Sequence, residues 1–97
     1  MVHHLVLMRL KQGVTRDDPA LRAGLAELIA LRGQVEGIVR WDHGWDFVAR
    51  PISYDFALVA GFSSRAAFDA YGPHPAHQAV AVKLRELVDW VLCDFEA

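Results

Sequence analysis

From Val2 to Lys11 the chain alternates like a strand, yet both faces are apolar at their centres. Val2, His4, Val6, Met8 and Leu10 share one face; His3, Leu5, Leu7, Arg9 and Lys11 share the other. Enrichment in Val and Leu, and the Gln12-Gly13 turn signal, mark a β-strand. A sheet wet on one side reads apolar-in and polar-out. This strand does not, so both faces are expected to be covered. In so short a chain its own helices cover one face, assigned to His4, Val6 and Met8. A second copy of the protein is the simplest cover for the other.

Asp17-Asp18-Pro19 opens a helix, with Asp18 as cap and Pro19 at the first helical position. Leu21, Leu25, Leu28 and Ile29 form its apolar stripe, Gly24 marks a close approach to a neighbour, and Gly33 is expected just past its end. A second strand is expected over Ile38 to Phe47, with Val39, Trp41, His43, Trp45 and Phe47 on one face. Ala49-Arg50-Pro51-Ile52-Ser53 is the hairpin loop. A third strand runs from Tyr54 to Phe62, with Tyr54, Phe56, Leu58, Ala60 and Phe62 on its heavy face. Ser63-Ser64 cap a short helix that reaches Tyr71.

The Gly72-Pro73-His74-Pro75 break follows. Pro75 suits the first position of a helix, where its missing N–H costs nothing, and His74 becomes the N-cap. His77, Val80, Ala81, Leu84, Leu87 and Val88 then share one helical face. This helix is expected to reach about Asp89, with Trp90 to Glu96 as the closing strand. The order β-α-β-β-α-β predicts an α+β, ferredoxin-like protomer: one four-stranded antiparallel sheet with its helices on one face. The open face, apolar in the first strand, predicts a two-fold homodimer with sheets packed face to face.

The 97 residues are read as one domain, 1–97, and a chain of this size gains from a partner subunit. A net charge of −2 gives neither nucleic acid nor an anionic membrane anything to attract, so neither is expected as a partner. Met1 to Arg9 is too short for a secretory signal, and no stretch approaches a membrane span. The lone Cys93 cannot form an internal disulfide, which points to a reducing, cytoplasmic compartment; it is read as a small buried hydrophobe. Gly13, Gly33, Gly37 and Gly44 stand singly, so no phosphate-cradling loop and no nucleotide cofactor is expected.

Candidate chemistry concentrates between Tyr71 and His77. A titratable ring in the first turn of a helix, facing the core beside a tyrosine, suits acid–base work. Neighbouring strand residues point to opposite faces, so His3 and His4 cannot both bind one ion; His74 as a cap points outward, no carboxylate or cysteine completes a tetrahedral set, and no metal is expected. A pocket between sheet and helices is expected beside Tyr71 and His77. Val6, Met8, Phe56, Val80 and Leu84 are its expected walls.

Four segments carry a family resemblance. They are His4-Leu5-Val6-Leu7-Met8 followed by Gly13-Val14, Tyr54-Asp55-Phe56-Ala57-Leu58-Val59, Tyr71 followed by His74-Pro75-Ala76-His77, and Asp94-Phe95. Together they resemble the stress-responsive A/B barrel domain (Dabb) family of dimeric α+β barrels, over essentially the whole chain. The resemblance implies a homodimer with a barrel between the sheets. One branch is similar to polyketide (olivetolic acid-type) cyclases, which close a poly-β-ketone by intramolecular aldol condensation. Tyr71, His77 and His4 match the positions that act in that branch. Gly72-Pro73 replaces a bulkier pair there, a departure that lets Tyr71 swing from the pocket. The expected role is binding of an apolar small molecule. The alternatives are a polyketide cyclase-like enzyme with His77 as base and Tyr71 as donor, or a cofactor-free monooxygenase of the related barrel type.

Overall fold

A computed structural model describes residues Met1–Ala97. The elements are β1 (Val2–Leu10), α1 (Pro19–Ala30), a 3-10 turn (Leu31–Gly33), β2 (Ile38–Trp45), β3 (Phe56–Phe62), α2 (Arg65–Tyr71), α3 (Pro75–Arg85) and β4 (Val88–Glu96). They build one antiparallel sheet in the order β2-β3-β1-β4. This is the ferredoxin-like α+β fold. The caps read from the sequence hold. The Asp18 carboxylate accepts from the Ala20 and Leu21 amides, Ser64 accepts from the Ala67 amide, and His74 Nδ1 accepts from the Ala76 amide.

Alternation along β1 decides the layering. Val2, His4, Val6 and Met8 are buried, whereas His3, Leu5 and Leu7 stay partly open. The buried row meets Phe56, Leu58, Ala60 and Phe62 of β3, all at most 5 % exposed. Helices close over it through Leu21, Leu25 and Leu28 of α1 and Val80 and Leu84 of α3. Gly24 is the contact point between the two helices. A Cβ there would lie 2.9 Å from Leu84 Cδ2, so the close approach expected of this glycine is met.

Several expectations shift. β2 ends at Trp45, and Phe47 is 94 % exposed in the following loop, where the Asp46 carboxylate accepts from the Ala49 amide. An irregularity between Ile38 and Arg40 slips the register by one residue. Val39 therefore leaves the face shared by Trp41, His43 and Trp45. β3 starts at Phe56 because the Asp55 carboxylate caps the Leu10 amide and Tyr54 turns to stack under the Arg9 guanidinium. Ile29 is exposed, and Leu31 in the 3-10 turn fills the stripe instead. α3 stops at Arg85 rather than near Asp89. Leu87 and Val88 fit a helical period, but pairing of Val88 with Leu10 draws the chain into β4. Cys93 is exposed: its register partner is Leu5, on the open face.

Gly33 is not the left-handed residue after α1. That conformation belongs to Gly13 and to Gly37, at φ +87°. At Gly37 an added Cβ would also lie 2.4 Å from Ala67 Cβ. Both penalties fall on one methyl group, so Gly37→Ala is expected to cost about 2–4 kcal/mol of stability. Urea unfolding measures it. Adding Ala67→Gly should recover the steric part and leave the backbone part.

Candidate functional site

Between β1 and β4 on one side and α2 and α3 on the other lies a cavity of about 390 Å³. This is within the range of small-molecule sites. It exists because β4 is an edge strand that the helices cover incompletely. Trp90, Leu92 and Asp94, which pair with Met8, Val6 and His4, face into the resulting gap. Val6, Met8, Val80 and Leu84 line it, as expected from sequence. Phe56 does not. It has the expected face, but β1 separates it from β4; Phe56 packs instead against Trp45 and His43 beneath α1.

Tyr71, His77 and His4 all line the cavity. Gly72-Pro73 does not swing Tyr71 away: the ring is 3 % exposed and packs against Phe62, His4, Trp41 and His77. The Tyr71 and His77 rings are closest, with centroids 4.3 Å apart. Burial raises the pKa of the Tyr71 phenol well above its ordinary value, so it remains a proton donor across the physiological range.

The break before α3 sets the tautomer of His77. Its Nδ1 lies 2.9 Å from the Gly72 carbonyl oxygen. A carbonyl only accepts, so Nδ1 carries the hydrogen, and the neutral ring keeps its lone pair on Nε2. Gln78 donates to the same oxygen at 2.8 Å, bracing the loop. Burial lowers the His77 pKa below its ordinary value. The hydrogen bond to Gly72 opposes this shift, and His4 and His74 add to it. At neutral pH His77 is thus an uncharged base. His74 is spent on capping α3 through its own Nδ1.

Opposite, the His4 Nδ1–H donates to the Asp94 carboxylate. By the same reasoning the acid fixes this ring's orientation. Asp94 had no assigned role from sequence. Antiparallel pairing of the first and last strands places it directly across from His4, and matching face parity was the signal available. Phe68, 5.7 Å from the His4 ring, and Trp90 were also missed. No group of three or more His, Cys, Asp or Glu side chains is placed to hold a metal ion. No helix is long and apolar enough to cross a membrane.

Comparison with known proteins places the chain. It is 43 % identical over 96 residues to the uncharacterised protein SCO4036 of Streptomyces coelicolor, covering 99 % of both chains. A dimeric ferredoxin-like protein of unknown function from Thermobifida fusca superposes with a TM-score of 0.84 at 27 % identity, over 99 % of this chain and 90 % of that one. SnoaB, a cofactor-independent oxygenase from Streptomyces nogalater, shares the fold alone, with a TM-score of 0.77 at 19 % identity over 99 % and 91 % of the two chains. The family model of the stress responsive A/B barrel domain matches residues 2–97, and the chain belongs to that family.

Proposed function

We propose that this protein acts as a homodimer in which each protomer binds an apolar small molecule in the cavity beside Tyr71 and His77. The observation that carries the reading is the cavity itself. Its walls are mostly apolar side chains from both layers, with the polar groups set toward its two ends. That is the composition of a ligand site, in which apolar area supplies affinity and a few polar groups orient the guest. Pairing rests on the opposite sheet face, where Leu7, Val91 and Phe95 are 40 %, 46 % and 47 % exposed. The Thermobifida fusca relative is dimeric, which fits the same arrangement. The single exposed thiol of Cys93 suits a reducing, cytoplasmic compartment.

Binding is tested with an aryl alkyl ketone titrated against the protein while tryptophan emission is followed, since Trp90 lines the cavity. Val80→Trp fills the cavity and is expected to weaken binding at least about tenfold, or roughly 1.4 kcal/mol. Unchanged affinity in a folded Val80→Trp protein would place the ligand elsewhere.

A second reading is favoured by the pinned imidazole. Removal of a proton α to a ketone needs a neutral base and a donor for the enolate oxygen. His77 with a free Nε2, and the Tyr71 phenol beside it, supply the two. In this reading His77 takes the proton, Tyr71 donates to the enolate oxygen, and His4 lines the wall. The reaction class is intramolecular aldol closure of a polyketone, as in the cyclase-like branch. Oxygen uptake with a quinol separates it from a cofactor-free oxygenase.

A further inference from the structure

The cavity has two unlike ends. Helix α3 and strand β4 are joined by a tight turn and run antiparallel, so their residues mark depth along the cavity together. At one end lie His77 on α3 and Asp94 on β4, with His4 and Tyr71. At the other lie Arg85 on α3 and Trp90 on β4. His77 and Arg85 are eight residues apart, about 12 Å along a helix. Asp94 and Trp90 are four apart, about 13 Å along a strand. The two measures agree, so the polar cluster and the arginine stand roughly 12 Å from each other.

Arg85 takes part in none of the ion pairs of the fold. Its guanidinium lies 5.9 Å from the centre of the Trp90 ring, which holds it along the wall. Lys11 adds a second cation here, its ammonium donating to the Arg85 carbonyl oxygen at 2.8 Å. The carboxylates that line the cavity, Asp69 and Asp94, belong to the other end, and Asp94 is already engaged by His4. A cation without an acid partner, at the rim of an apolar channel, is complementary to an anionic head on an apolar body.

We infer that Arg85 anchors the carboxylate of the ligand, and that the ligand is an amphiphilic monocarboxylic acid. Its chain spans the cavity, and its far end reaches His77. This rests on the reading of the cavity as a ligand site and adds the ligand's class and direction. An acid bound this way lies with its charged head at the open rim, where little desolvation is needed, and its remote carbons beside the imidazole.

The test uses the full chain and two probes of equal length, decanoate and decanamide, titrated by calorimetry at low salt. Decanoate is expected to bind at least about tenfold more tightly than decanamide. Arg85→Gln should remove that advantage and leave decanamide binding unchanged. Arg85→Lys should keep part of it, and added salt should erode it. Equal binding of the two probes to the native protein overturns the arginine anchor and leaves the ligand cavity standing. Loss of both probes together in Arg85→Gln, with its circular dichroism unchanged, assigns Arg85 to packing and also overturns the anchor. Failure of both probes to bind the native protein overturns the cavity reading and the anchor with it.

Discussion

Leu7→Asp is expected to split the proposed dimer into folded single protomers, raising its dissociation constant by about 10²–10⁴-fold. Leu7 lies on β1, an inner strand of the sheet, in a row with Ala57 of β3 and Val91 of β4. In a lone protomer it is 40 % exposed, so an aspartate there sits in water and the fold tolerates it. In a face-to-face pair the same carboxylate is buried twice, once from each copy, in place of an apolar contact. Removing an unpaired charge from water costs several kcal/mol, more than the apolar contact it replaces. Sedimentation velocity reads the change, and unaltered circular dichroism shows that the protomer survives. A native protein that already sediments as a single chain at micromolar concentration would sink the pairing on which this rests.

His77→Gln is expected to slow proton exchange α to a bound ketone by about 10²–10⁴-fold if His77 is the base. Glutamine can still donate to the Gly72 carbonyl, so the loop keeps its anchor while the basic Nε2 is lost. Deuterium incorporation at the α-carbon, followed by NMR, measures the rate without knowledge of the natural substrate. The pH profile carries an independent sign. Burial depresses the His77 pKa below 6.5, so the neutral base persists into mildly acidic solution. The rate should therefore fall on its acid side at a midpoint below 6.5. A His77→Gln protein exchanging at the native rate removes the aldol reading and leaves the binding reading in place.

The sequence patterns resolved the fold because period and punctuation agreed. Asp18-Pro19, Ser64 and His74-Pro75 each place a helix start, and alternation in β1 separates its two faces. The misplaced boundaries lie where a side chain competes with the regular pattern. Asp55 caps Leu10 and delays β3, and Val88 satisfies both a helix and a strand. The slip at Val39 depends on cross-strand pairing and leaves no local mark.

The site was legible in part for the same reason. Tyr71 and His77 are close in sequence, and the parity of β1 brings His4 to them. Asp94 and Arg85 were not seen because their meaning comes from where β4 lies beside β1 and α3. Phe56 was misplaced because face parity says which layer a residue meets, not which strand it stands beside.

The alternation of β1 has one more consequence. In the proposed assembly the strand offers Val6 to the guest on one side and Leu5 and Leu7 to the twin on the other. Stacked sheets lie about 10 Å apart, so two guests would occupy the outer flanks of the pair with both sheets between them. Neither guest would touch the other's chamber or close its mouth. Saturation should follow a simple hyperbola, two equal and independent vacancies filling without regard to one another.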